Sequence, residues 1–155
     1  MRLKLFTLKL IKPLLFIPLI SLGCVYFNTF YNAETYFKEG MKTIEESAIE
    51  DSNDIPSKAK TQLEKAINKC NIVIDNFPDS KYIDNAYYII GKSGFYRSEF
   101  TRALKSFNTL INEFPESEFA NESKIWSAYT QFKLGELDSS QSVLIDLLEV
   151  KKQSK

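Results

Sequence analysis

Few residues in this chain are of types that do covalent or acid–base chemistry at neutral pH. Histidine is absent and there are two cysteines, Cys24 and Cys70. Neither a disulfide framework nor a zinc site is therefore indicated, and no imidazole can serve as a general base. Gly91-Lys92-Ser93 has the ending of a phosphate-binding loop. That loop needs an earlier glycine where Ala86 stands, and no strand-like run precedes it. Asp51-Ser52-Asn53-Asp54-Ile55-Pro56-Ser57 is acidic together with Glu45, Glu46 and Glu50. A calcium loop would close alternate oxygen ligands with a fixed glycine and a late glutamate. Both are missing, so the stretch reads as a solvated loop between helices. No G-x-S-x-G elbow or C-x-x-C pair occurs, and nothing pairs carboxylates in a pocket. The reading is a chain without catalytic residues, metal ligands or cofactor, and without a small-molecule substrate.

Cys24 has a context of its own. Arg2, Lys4, Lys9 and Lys12 give a basic start without acids, and an uncharged stretch from Pro13 to Leu22 follows. A run of about ten such residues has the length of a signal-peptide core and is too short to span a bilayer as a helix. Ile20-Ser21-Leu22-Gly23-Cys24 then resembles a bacterial lipobox, with Ser21 and Leu22 exchanged from the usual order. The resemblance implies cleavage after Gly23 and a thioether from Cys24 to diacylglycerol. Val25 rather than aspartate follows, which by the sorting rule of such lipoproteins implies the outer membrane, facing the periplasm. The other reading is an uncleaved membrane anchor in which Cys24 is incidental. On the first reading, residues 1–23 are a signal peptide, 24–27 a lipidated linker and 28–155 the folded domain.

The elements of that domain follow from a repeat. Phe77-Pro78-Asp79-Ser80 recurs as Phe114-Pro115-Glu116-Ser117, an offset of 37 residues. The match extends on both sides. Leu63, Ala66, Ile67, Cys70 and Val73 correspond to Phe100, Ala103, Leu104, Phe107 and Leu110, and Tyr82, Ala86 and Ile89 to Phe119, Ser123 and Trp126. A fixed period in this range marks stacked supersecondary units. The apolar spacing from Leu63 to Phe77 is one face of an α-helix. Pro78 and Pro115 stop the helices that precede them. Ser80 and Ser117, each beside an acidic residue, stand where a helix N-cap is expected. Helices are expected over about 28–50, 58–76 and 81–96, with another starting after a turn near Arg97-Ser98. They pair as hairpins over about 28–76, 80–114 and 117–150. Ala66, Cys70, Phe77, Pro78, Gly91, Ala103, Phe107, Phe114 and Pro115 are the expected packing positions.

Tyr87, Ile90-Gly91, Phe100, Ala103, Phe107, Leu110 and Pro115 resemble a tetratricopeptide repeat (TPR). Gly94 replaces its usual aromatic, Ser98 its usual glycine, and the longer period is similar to the sel1-like and BamD-like variants. The resemblance implies an all-α fold of about three antiparallel hairpins stacked as a short right-handed solenoid. With the lipobox, it implies a BamD-like lipoprotein, an interaction scaffold in outer-membrane protein assembly. A general periplasmic adaptor in secretion, motility or cell-wall processes is the alternative. Protein partners, and a membrane reached through the N-terminal lipid, are what either implies.

Charge agrees with protein partners. Residues 24–155 hold sixteen basic and twenty acidic residues, a net of −4 with no basic stripe, which argues against nucleic acid. Over 141–150 the apolar positions span roughly 220° of helix, against roughly 120° over 100–114. Val143, Ile145 and Val150 are the residues that widen it, and they are expected to meet a partner surface.

Overall fold

The computed structural model describes residues 28–47 and 55–136, and every regular element among them is helical. The helices are α1 (28–47), α2 (Ser57–Asn76), α3 (Ile83–Tyr96), α4 (Phe100–Glu113) and α5 (Ala120–Leu134). Consecutive helices from α2 to α5 pack on one another, and α3 also touches α5. The short connections after α2, α3 and α4 make these neighbours antiparallel. Residues 1–27 with Cys24, residues 48–54, and the segment holding Val143, Ile145 and Val150 lie outside the described residues.

One core runs through α1, α2 and α3. Phe30 and Ala33 of α1 meet Ala66, Cys70 and Val73 of α2 and Ile83, Ala86, Ile89 and Ile90 of α3. The α2 positions recur one period on as Ala103, Phe107 and Leu110, all fully buried in α4. Their spacing is the i, i+3, i+4, i+7 stripe that made the helices legible.

Close approach is set at two glycines of α3. A Cβ on Gly91 would lie 2.5 Å from Cε1 of Phe107, so the flat helix surface there is the seat of that ring. A Cβ on Gly94 would lie 3.3 Å from the Ala103 nitrogen. A glycine at the usual aromatic position thus brings the α4 backbone against α3.

The Phe-Pro-acid-Ser turns are built alike, but their serines do not cap the helices. The N–H groups of Phe77 and Phe114 close the preceding helices on Val73 and Leu110, each at 2.9 Å. The Ser80 hydroxyl accepts from Tyr82 N–H at 2.9 Å, and the Ser117 hydroxyl from Phe119 N–H at 3.2 Å. Tyr82 and Phe119 are the true N-cap residues, and neither helix has a side-chain cap. The helix after the first turn therefore begins at Ile83 rather than Lys81. A serine hydroxyl reaches its own turn two residues on more readily than a helix end further away. Ser117 also donates to Asp84 of α3 at 2.6 Å, tying one turn to the helix of the unit before it.

Both α3 and α5 end in the same hydrogen-bond pattern. Ser98 N–H bonds Phe95 O and Glu99 N–H bonds Gly94 O, while Gly135 N–H bonds Phe132 O and Glu136 N–H bonds Gln131 O. This is a Schellman closure, which needs one left-handed residue. Gly135 has φ 84°, and Ser98 has φ 62° without being glycine. Beside that turn, Arg97 reaches back to α2, where it donates to the Lys60 carbonyl and pairs with Glu64.

Candidate interaction cleft on the α1, α3 and α5 face

A cavity of about 580 Å³ is a shallow hollow over six consecutive residues, Asn76 to Lys81. A single turn with no second wall offers a ligand little enclosure. The better-formed site is a cleft of about 190 Å³ where α1, α3 and the start of α5 meet. Phe37, Tyr88, Ile89 and Phe119 give it apolar walls, and Glu34, Lys38 and Asn85 its polar groups. Glu34 and Lys38 face each other at 3.7 Å, so the rim is dipolar rather than singly charged. A pocket with apolar walls and a few polar groups suits one apolar side chain of a peptide, with Asn85 able to bond its backbone.

One side of the cleft is stiffened by a polar knot. Oε1 of Glu122 accepts from the Tyr88 hydroxyl at 2.6 Å, from Trp126 Nε1 at 2.9 Å and from Lys92 Nζ at 3.4 Å. Lys92 Nζ also lies 3.9 Å from the centre of the Trp126 ring, a cation–π contact. The Tyr88 ring stacks on Phe119 at 4.5 Å. The knot therefore orients two of the cleft's aromatic walls.

Burial pulls Lys92 down from its ordinary pKa, opposed by Glu122. Burial also favours the neutral form of Glu122, but the bonds from Tyr88, Trp126 and Lys92 outweigh it and hold the carboxyl below its usual range. Tyr88 is pushed up by burial and then by its bond to that carboxylate, so it stays a donor. The result is an ion pair at neutral pH. No proton is poised for transfer.

Gly91, Ala103 and Phe107 form the α3–α4 contact, and Ala66 and Cys70 lie in the α1–α2–α3 core. Phe77 and Phe114 are half-buried at helix ends, and Pro78 and Pro115 are exposed. Burial pushes the Cys70 thiol far above its ordinary value, which makes it an inert core residue. Lys92 sits in the middle of α3, where the phosphate-loop reading would have needed a loop. Sequence reasoning missed Glu122, Trp126 and Tyr88 as a group. Their signal was a carboxylate and a lysine interrupting the inner apolar face, 30 residues apart. Among the described residues no three His, Cys, Asp or Glu side chains are grouped to hold a metal ion, and no helix is long and apolar enough to cross a membrane.

Residues 85–117 match a family model described as a tetratricopeptide repeat. The matched stretch covers nearly all of α3, the Schellman turn, α4 and the second Phe-Pro-acid-Ser turn. No curated protein and no solved structure matches the chain. The all-helical hairpins and this match together make the chain a TPR-containing protein, similar over that stretch to a family of protein–protein interaction modules.

Proposed function

We propose that the chain is an envelope lipoprotein, held to the outer membrane through Cys24, that acts as a non-catalytic scaffold in the manner of BamD-like proteins. The apolar-walled cleft between α1, α3 and α5 carries this reading. It offers a side-chain socket on a stack of repeat helices, and the knot behind it keeps its walls in place. Ile20-Ser21-Leu22-Gly23-Cys24 supports the anchor, and the repeat over 85–117 supports the protein partner.

Two measurements test it. The full chain, expressed in a bacterial host and labelled with palmitate, should carry label and stay with membranes, and Cys24→Ala should lose both. Equal labelling and retention would sink the lipoprotein part. Co-purification from membranes should recover barrel-assembly subunits, and Phe37→Glu in the cleft should reduce their yield. Recovery of other envelope proteins alone would replace the assembly role with the general adaptor.

A further inference from the structure

Both α2 and α4 pack on α3 but, among the described residues, not on each other, and a groove of about 270 Å³ lies between them. Ile74 of α2 and Tyr87 and Ile90 of α3 give it apolar surface, and Lys105 and Thr109 of α4 stand on its wall. It is on the other side of α3 from the cleft described above, whose α3 residues are Asn85, Tyr88 and Ile89. Each of α2 and α4 is antiparallel to α3, so the two run the same way along the groove.

The two ends of this groove carry opposite charge. Lys105 and Arg102 stand at one end, and Arg102 is held by Glu99 at 2.6 Å. Glu113 and Asp75 stand at the other. There the Tyr87 ring lies 6.2 Å from that of Phe114, beside Glu113. Burial, then the charges of Glu113 and Asp75, push the Tyr87 hydroxyl above its ordinary pKa. Lys105, Glu113 and Asp75 are exposed, and none of them is ion-paired with another described residue. The repeat does not demand these charges, since Asn68 and Asn76 stand one period before Lys105 and Glu113. The helix rises about 12 Å from Lys105 to Glu113.

We propose that this groove binds an extended segment of a partner protein in which an acidic, an apolar and a basic side chain stand at alternate positions. Alternate residues of an extended chain share one face, and the first and fifth lie about 13 Å apart. That span matches the distance between the charged ends. The acid meets Lys105, the apolar side chain lies over Ile74, Tyr87 and Ile90, and the base meets Glu113 and Asp75. Charge selects this occupant over others. A polyanion such as nucleic acid is repelled at the Glu113 end, and a polycation at the Lys105 end. The chain's own undescribed segments do not supply the pattern. Residues 1–27 hold no acid and residues 48–54 no base. In residues 137–155 no apolar residue has an acid two positions away on one side and a base two positions away on the other. The proposal needs neither the anchor nor the cleft.

Amide chemical shifts of the isotope-labelled full chain in a non-ionic detergent, titrated with end-blocked peptides, test it. The ligand is Gly-Gly-Asp-Ser-Leu-Ser-Lys-Gly-Gly. Two controls carry Asp at both charged positions or Lys at both. A third, Gly-Gly-Ser-Asp-Leu-Lys-Ser-Gly-Gly, turns the charges to the face opposite the leucine. Shifts should centre on Asn71, Tyr87, Lys105 and Thr109. The ligand should bind about three- to fivefold more tightly than each control, which is the worth of one exposed ion pair. Lys105→Glu makes both ends acidic and should instead prefer the peptide with two lysines by a similar factor. Lys133→Glu, the same charge change on α5, should keep the wild-type order. Far-UV circular dichroism checks that the variants are folded. Should Lys105→Glu lower helicity, Lys105→Gln serves, and it should erase the preference over the two-lysine peptide. Wild type that binds no peptide, or all four alike, overturns the proposal. So do shifts that centre on the α1, α3 and α5 cleft, and a folded Lys105→Glu that keeps the wild-type order. Self-association of the chain that Lys105→Glu abolishes would put a second copy in the groove and overturn it as well.

Discussion

Ser98→Gly should stabilise the protein, and the repeat supplies its own control. Ser98 closes α3 at φ 62°, and Gly135 closes α5 one period later at φ 84°. The left-handed conformation costs a residue with a Cβ about 1–2 kcal/mol. Glycine removes that strain but loses about 0.5–1 kcal/mol more backbone entropy on folding. The difference leaves a net gain of about 1 kcal/mol, or about 2–4 °C in Tm for a chain of this size. Ser98 is exposed, so little packing is removed with its side chain. Ser98→Ala keeps the Cβ and the strain, and should give no gain. Thermal and denaturant unfolding of the three full-length proteins, followed by circular dichroism, reads the effect. A Tm for Ser98→Gly at or below wild type would refute the reasoning, as would an equal gain for Ser98→Ala. The latter would place the effect in the hydroxyl and not in the backbone.

Phe107→Ala should cost about 3–5 kcal/mol through the cavity it leaves, and Gly91→Ala about 1–3 kcal/mol by driving a methyl into the same ring. Denaturant midpoints check both, and unchanged midpoints would mean that the α3–α4 register is wrong. Glu122→Gln tests the polar knot. Because the folded state holds the Glu122 pKa below 4.5, its contribution is present above that pH and disappears as pH falls through the lowered value. The carboxylate is 47% exposed, so solvent screening limits the difference to about 1 kcal/mol at pH 7. Stability of wild type and Glu122→Gln should converge as pH falls through the lowered Glu122 pKa. A gap that stays constant across the range would show that the charge is not what matters.

The sequence by itself determined the helices, where α2 and α3 stop, and the period that relates the repeats. An apolar stripe at i, i+3, i+4 and i+7 and a proline after α2 and after α4 are local facts, decided by neighbours within one or two turns. Gly91 and Ala103 were legible as small residues at matched positions for the same reason. Tertiary structure decided what depends on how helices lie across one another. Whether Ser80 and Ser117 cap a helix or a turn depended on where the backbone reached helical dihedrals, and the turn's own N–H groups proved nearer. Ser98 was legible as a turn residue standing where the repeat usually has glycine, but that it keeps the left-handed φ without being glycine was decided only by the α3–α4 closure. Glu122, Lys92, Tyr88 and Trp126 come from two helices and meet only when α5 is laid against α3. The apolar face of α5 is the clearest case. Its residues could as well have been core, and only the packing of the helices leaves Ile125, Tyr129 and Phe132 exposed.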